Sequence, residues 1–265
     1  MRLKDKVAIV SGGGKGIGRA IAAAFASEGA AVVVAARSLP QLEETAAEIR
    51  SGNGVVLPVQ TDVASEEQVR GMVARTIEAF GRVDILVNNS GITGPVSTVA
   101  DMDLDAWNET MAVNLTGAML CSREVLKYMV PQKSGTIICI GSEGGRGGDG
   151  RAGFPRRAAY CCSKMGIIGL TETMAIELGE FGIRVNAISP AGVAGDRITN
   201  LMKNRAAAMG ITTDELMARH VSNYSLGRMA KESEIASVAL FLASDESSCI
   251  TGQVIVANCG QHIVH

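Results

Sequence analysis

Val7-Ala8-Ile9-Val10-Ser11-Gly12-Gly13-Gly14-Lys15-Gly16-Ile17-Gly18 joins a short β-branched run to a helix-like run that begins near Gly16. Val and Ile suit a pleated, buried strand. Glycines permit a tight turn and let backbone amides approach a ligand closely. The start of a helix then offers unsatisfied N–H groups and the positive end of its dipole. Strand, glycine turn and helix in this order make the phosphate-binding corner of an open α/β sheet. Ser11, Gly12, Gly14, Lys15, Gly16, Ile17 and Gly18 are therefore candidate contacts to the pyrophosphate of a dinucleotide; the alternative is a plain glycine turn.

Outward from this corner, strand-like and helix-like runs alternate to the end of the chain. Ala31–Ala35, Val55–Val59, Asp84–Val87, Thr136–Ile140, Arg184–Ile188 and Val254–Ala257 read as strands. A helix-like stretch holding Leu42 and Ile49 ends near Gly52, and Glu66–Phe80 is closed by Gly81 as a C-cap. Ala106–Met129 reads as a long helical stretch with a break near Gly117 and Pro131 as its stop, followed by Ala158–Leu178, one or two amphipathic helices over Ile198–His220, and Glu232–Ala243. Such alternation makes βαβ units with right-handed crossovers. The expected fold is α/β: a Rossmann-type, doubly wound parallel sheet of about seven strands, flanked by helices on both faces. One domain is expected over residues 1–265, with a substrate-lid insertion at about 193–228. Ligands bind outside the carboxyl ends of the strands in such sheets. The Gly- and Arg-rich patch Gly141–Gly153 follows a strand and precedes a helix, so it belongs to that edge.

Composition narrows the function classes. Apolar residues make up 47% of the chain and aromatics 3%, so the core is aliphatic, as a sheet covered on both faces requires. With 25 basic and 27 acidic residues the net charge is −2, which argues against a nucleic-acid footprint or a polybasic membrane surface. No apolar run reaches the length of a bilayer span. Met1–Lys6 runs straight into the first strand without a signal-peptide pattern, so a soluble, cytoplasmic protein is expected. The six cysteines show no C-x-x-C spacing and read as small buried hydrophobes carrying free thiols. No His/Cys/Asp cluster calls for a metal, and none is expected.

Two further features bear on chemistry. The second strand ends Ala35-Ala36-Arg37, with Arg37 placed 19 residues after Gly18 (37 − 18). An NAD site usually has an acid there to hold the ribose hydroxyls. An arginine suits a 2′-phosphate instead, and Lys15 adds a second cation, so NADP(H) is preferred with NAD(H) possible. The other feature is Tyr160-Cys161-Cys162-Ser163-Lys164. Residues four apart share one helix face. A cation beside a phenol favours the phenolate, which suits proton exchange with an alcohol or ketone oxygen.

Taken together these residues resemble the short-chain dehydrogenase/reductase family, over about Lys4 to Gly260 and with the motifs in the family's order. The glycine corner matches, with Ser11 in place of the usual Thr. Asp62-Val63 is similar to the family's adenine-contacting pair. Asn88-Asn89-Ser90-Gly91 is similar to Asn-Asn-Ala-Gly, with Ser90 for Ala. Asn114, Ser142, Tyr160 and Lys164 match its catalytic tetrad. The resemblance implies that Ser142 hydrogen-bonds the substrate oxygen, Tyr160 transfers the proton, Lys164 tunes Tyr160 and holds the nicotinamide ribose, and Asn114 holds a water linking Lys164 to solvent. It also implies cofactor contacts from Asn88, Ser90, Gly91, Pro190 and Val193, and a homotetramer assembled through Ala106–Met129 and Ala158–Leu178. Two departures stand out: the loop between Ser142 and Tyr160 is longer than usual, and Pro190-Ala191-Gly192-Val193 is followed by Gly195 where the family has Thr.

Arg146, Arg151, Arg156, Arg157 and Arg197 fall in segments that border the expected substrate pocket. Arginine binds carboxylate, sulfonate or phosphate in a fixed fork, which suggests an anionic substrate such as a hydroxy or oxo acid or an oxoacyl thioester. The alternative is that they are solvated or pair with Glu143 and Asp149. Met202, Met209 and Met217 could line an apolar lid, or simply pack a helix. The leading function is an NADP(H)-dependent oxidoreductase acting on a secondary alcohol or its ketone. The alternatives are an NAD-dependent sugar or polyol dehydrogenase and a non-catalytic NADP(H)-binding regulatory protein.

Overall fold

A computed structural model describes residues 1–143 and 153–261, apart from a few side chains in the segment after residue 195. Seven parallel strands form the main sheet: β1 (Val7–Ser11), β2 (Ala31–Ala36), β3 (Val55–Gln60), β4 (Ile85–Asn88), β5 (Gly135–Ile140), β6 (Ile183–Pro190) and β9 (Val254–Ala257). Their spatial order is β3-β2-β1-β4-β5-β6-β9. The winding direction reverses between β1 and β4, and the crevice above that reversal is where an open α/β sheet takes its ligand. Pro58 lies in β3, an edge strand, which is where a strand tolerates a missing N–H.

Alternate residues of each strand point to opposite faces, and the two faces carry separate cores. On one face Ala8, Val10, Val32 and Val34 pack beneath α1 (Gly16–Ser27), α2 (Leu39–Ser51) and α9 (Glu232–Ala243), through Ile21, Phe25, Leu42, Ile49 and Ile235. On the other face Ile9, Val33, Leu86, Ile137 and Cys139 pack beneath α3 (Glu66–Phe80), α5 (Gly117–Gln132) and α6 (Ala158–Leu178). Phe25, Ile9, Ile21, Leu86, Ile137 and Ile138 are wholly buried. The expected doubly wound sheet with helices on both faces is present, and its core is aliphatic.

Several boundaries differ from the sequence reading. The long helical stretch expected from Ala106 is α4 (Leu104–Met111), a π-helical turn over Ala112–Thr116, and α5. The break falls just before Gly117, where a Cβ would lie 2.8 Å from Val63 Cγ2, so that helix and the loop after β3 touch only because the residue is glycine. Pro131 sits inside the last turn of α5 rather than beyond it. Gly81 closes α3 in the left-handed conformation (φ 73°), as expected of a C-cap. The stretch Ile198–His220 is two helices, α7 (Asp196–Met209) and α8 (Thr213–Val221). They lie between the two short strands β7 (Val193–Ala194) and β8 (Ala230–Lys231), which pair in parallel as a second ladder.

The base of the sheet is pinned by a buried carboxylate. Asp84, 3% exposed, accepts from the Val7 amide (2.9 Å) and from both Nε and Nη2 of Arg82 (2.9 and 2.6 Å). This joins β1 to β4 at the end opposite the glycine corner. All six cysteines are free thiols; Cys121, Cys139 and Cys161 are buried, whereas Cys162 and Cys249 are exposed, contrary to the expectation for all six. Burial pushes the Cys121 thiol up to about 12 and raises that of Cys139, so both stay protonated.

Candidate active site

The glycine corner is built from both sides of the β1/β4 reversal. Gly12 and Gly16 have φ of 65° and 59°, values that side chains avoid. A Cβ on Gly18 would run into the carbonyl oxygen of Gly12 and lie 2.5 Å from Asn89 Nδ2. The turn is therefore as tight as the motif demands. Lys15 is the extended N-cap of α1, and its side chain makes no cap bond to the first amides of that helix. Open amides at a helix start, with the positive end of its dipole, are a donor set that fits a pyrophosphate.

Asn89, which the sequence reading passed over, holds this corner in place. Its Nδ2 donates to the carbonyls of Ser11 and Gly12 (3.0 and 3.2 Å). Ser11 Oγ donates to Val87 O and accepts from the amides of Asn89 and Ser90 (3.0 and 3.1 Å). Ser11 is 1% exposed, so its hydroxyl ties two loops together beneath the corner. Asn88 likewise turns into the core, where Nδ2 donates to Ser122 Oγ (3.0 Å). The side chains of Ser11 and Asn88 are thus bonded to protein groups on either side of the reversal.

Beyond the corner, Arg37 follows β2 and is exposed, as is Lys15. Neither makes an ion pair among the described residues. Asp62 turns the chain after β3, its Oδ1 accepting from the Ala64 amide (3.0 Å), and Val63 is buried against Gly117.

Two of the tetrad candidates, Asn114 and Lys164, meet near the carboxyl ends of β4 and β5. Asn114 lies in the π-helical turn and is 1% exposed. Its Oδ1 accepts from the Ile92 amide (2.7 Å), and its Nδ2 donates to Ile92 O and to Ser163 Oγ (both 3.0 Å). Ser163 Oγ in turn donates to the Tyr160 carbonyl (2.7 Å). Ser163 is thus the link between the π turn and α6, and nothing in its spacing announces it. Lys164 is 5% exposed and donates from Nζ to Ile140 O at the end of β5 (2.7 Å). A Cβ on Gly91 would lie 3.3 Å from Asn114 Oδ1 and 3.6 Å from Lys164 Nζ, so these three residues share one small space. Ser142 stands two residues past β5, and Tyr160 stands one turn before Lys164 on α6.

The arginine candidates fare differently. Arg146 and Arg151 lie outside the described residues, as does the Arg197 side chain at the start of α7. Arg156 is exposed at φ 61°, and its carbonyl accepts from the Ser97 amide (3.0 Å). Arg157 is engaged: its guanidinium lies over the Tyr160 ring, 5.0 Å from the centroid, and Nη2 donates to Thr93 O (2.7 Å). Glu143, named above as an alternative partner for the arginines, is 2% exposed and accepts from Asn258 Nδ2.

Gly192, in the loop after β6, donates from its amide to the Tyr224 hydroxyl (3.2 Å), and that hydroxyl also pairs with His220 Nε2 (3.1 Å). Burial pushes the Tyr224 phenol up to about 12, so it stays protonated and can donate to the imidazole. This contact anchors α8 onto the loop that carries Pro190 and Val193. Met202 is buried and Met209 is 55% exposed, so the methionines do not share one face. Among the described residues no cluster of His, Cys, Asp and Glu is arranged to hold a metal, and no helix is long and apolar enough to cross a membrane.

Comparison with known proteins matches these features to one group. A family model described as enoyl-(acyl carrier protein) reductase matches residues 12–262. A short chain dehydrogenase/reductase, astE of Aspergillus oryzae, is 40% identical, covering 99% of this chain and 97% of the relative. The 3-oxoacyl-[acyl-carrier-protein] reductase FabG of Thermotoga maritima is 37% identical over 96% of this chain and 97% of its own. The crystal structure of a levodione reductase superposes with a TM-score of 0.91 at 32% identity, covering 98% of both chains. Sheet order, glycine corner and near full-length similarity agree, and the chain belongs to the short-chain dehydrogenase/reductase family of oxidoreductases.

Proposed function

We propose that the chain is an NADP(H)-dependent oxidoreductase that interconverts a secondary alcohol and its ketone through Ser142, Tyr160, Lys164 and Asn114. The observation that carries this reading is the shared space of Gly91, Asn114 and Lys164 at the strand ends, one helical turn from Tyr160 and beside the glycine corner. When bound, the nicotinamide supplies or accepts the hydride. Ser142 holds the substrate oxygen with a hydrogen bond. Tyr160 gives that oxygen its proton in reduction and takes it back in oxidation. The Lys164 ammonium, fixed by the Ile140 carbonyl, sets a positive charge beside the phenol and reaches the ribose side of the cleft. Asn114 keeps α6 in register with the loop after β4 through Ile92 and Ser163.

Gly12, Gly14, Gly16, Ile17, Gly18, Ser90, Gly91, Asp62, Val63, Pro190 and Val193 border the cofactor in this reading, with Arg37 and Lys15 on a 2′-phosphate. Replacing Arg37 with Asp removes the fork and restores an acid for ribose hydroxyls. The expected result is a roughly tenfold or greater rise in KM for NADPH and a fall in KM for NADH, measured by steady-state kinetics with both cofactors. An unchanged ratio would remove Arg37 from the cofactor site.

The same reading takes residues 193–228 as a substrate lid on a single domain. It also takes the working form as a cytoplasmic homotetramer. Free thiols throughout suit a reducing compartment. Met165 (42% exposed) and Ile176 (84% exposed) give α6 an uncovered apolar face that suits an interface between copies. The substrate is a small alcohol or ketone bearing an anionic group, an oxoacyl thioester or oxo acid among the candidates, because arginines crowd the β5–α6 segment.

A screen of NADPH and NADH oxidation against ketones, oxo acids and oxoacyl thioesters tests the whole reading. NADPH-dependent turnover is expected. Tight cofactor binding with no turnover on any member would overturn it in favour of a non-catalytic cofactor binder.

A further inference from the structure

We infer that Arg157 is a positioning residue for proton transfer, acting through Tyr160 and not through the substrate; this rests on Tyr160 being the proton donor proposed above. Arg157 is the N-cap residue of α6, three residues before Tyr160, so its side chain reaches forward along the same face. Its guanidinium lies 5.0 Å from the Tyr160 ring centroid. A cation at that distance from an aromatic face is attracted by the ring. The attraction grows when the ring gains charge, as it does once Tyr160 has given its proton to the substrate oxygen. A contact that strengthens along the reaction lowers the barrier, whereas one that is equal throughout does not.

The guanidinium is also fixed from the other side. Nη2 donates to the Thr93 carbonyl at 2.7 Å, two residues past Gly91. The backbone beside it is paired as well: Ser97 and Arg157 form a parallel bridge, and the Ser97 amide donates to Arg156 O (3.0 Å). The loop from Gly91 to Ser97 is therefore strapped to the start of α6 by Arg157, while Asn114 straps the same loop to Ser163 on the next turn. Tyr160 sits between the two straps. An arginine held on a ring face and a carbonyl has two of its recognition surfaces in use. The anionic-substrate reading accordingly rests on Arg146, Arg151, Arg156 and Arg197, and Arg157 is withdrawn from that set.

The test uses the full chain with Arg157→Gln, Arg157→Lys and Arg156→Gln, each assayed with NADPH and the best substrate of the screen. For Arg157→Gln we expect kcat to fall about tenfold with KM for substrate changed less than about twofold, since the lost contact forms in the transition state. Arg157→Lys, which keeps a cation near the ring, is expected to recover a substantial part of kcat. NADPH binding followed by nicotinamide fluorescence, together with Tm, reports whether the glycine corner and the fold survive loss of the Thr93 strap. A rise in KM at constant kcat would overturn the inference and return Arg157 to the substrate. Equal loss of kcat in the Gln and Lys variants, with NADPH binding kept, would also overturn it, leaving only the strap to Thr93. Wild-type kinetics in Arg157→Gln would overturn it outright. Absence of turnover by the wild-type chain on every substrate would instead defeat the functional reading, and this inference with it.

Discussion

Tyr160→Phe is expected to lower kcat by about 10²–10⁴-fold while NADPH affinity and Tm stay close to those of the wild-type chain. The substitution deletes one oxygen and keeps the ring, so the Arg157 guanidinium retains its aromatic partner. The Ser163 hydroxyl retains its acceptor too, because that acceptor is the Tyr160 backbone carbonyl. The main change is therefore loss of the hydroxyl proposed to move the proton. Steady-state kinetics, a fluorescence titration with NADPH and a thermal melt separate the three quantities. Activity within about threefold of wild type would assign the proton to another group. Loss of NADPH binding along with activity would show that the phenol supports the cofactor site rather than the chemistry.

Gly18→Ala is expected to be the severest single substitution at the cofactor corner. The added methyl has nowhere to go, because the Gly12 carbonyl and Asn89 Nδ2 already fill its place. These are backbone and a side chain pinned by two hydrogen bonds, so the corner must open rather than a flexible chain swing aside. Overpacking of this kind costs about 1–3 kcal/mol in stability. A comparable loss from cofactor binding raises the NADPH Kd roughly tenfold or more. Gly71→Ala is the natural control: it lies within α3 with nothing close to a Cβ, and it should gain about 0.5–1 kcal/mol. Denaturant melts and NADPH titrations of the two variants check both signs. A Gly18→Ala chain that binds NADPH normally would mean that the turn is not the cradle.

The sheet was legible because its signals are local. Short Val/Ile runs alternate with helix-like runs along the chain, and every strand of the main sheet except the edge strands β3 and β9 has a neighbour on both sides. Gly12, Gly16 and Gly18 could be read from sequence because backbone geometry excludes other residues at such turns. The proposed tetrad came only from a match to a family pattern; no local rule ties Asn114 to Lys164 across two helices. What stayed hidden was the set of contacts that hold the site together. Asn89, Ser163 and Tyr224 each act through hydrogen bonds to segments distant in sequence or to groups one turn away. Ser11 and Asn88 were read as cofactor contacts from their motifs, and the sequence did not reveal that their side chains bond to protein groups beneath the corner. Arg157 was read by charge alone, and charge does not reveal that a ring and a carbonyl stand within its reach.

The π-helical turn at Ala112–Thr116 makes the number of residues in this segment as consequential as their identity. Each residue of an α-helix advances the face by about 100°. The widened turn absorbs one extra residue between two requirements. Asn114 must look toward Ile92 and Ser163, and Cys121, Val125 and Met129 of α5 must look into the sheet. Removing one residue would let α4 and α5 run on as a single regular helix, and the two halves would then fall out of phase. Either the asparagine would leave its loop or the three apolar side chains would leave the core. The segment therefore works as a phase shifter, in which exchanging a side chain is a local event and losing one position is a global one.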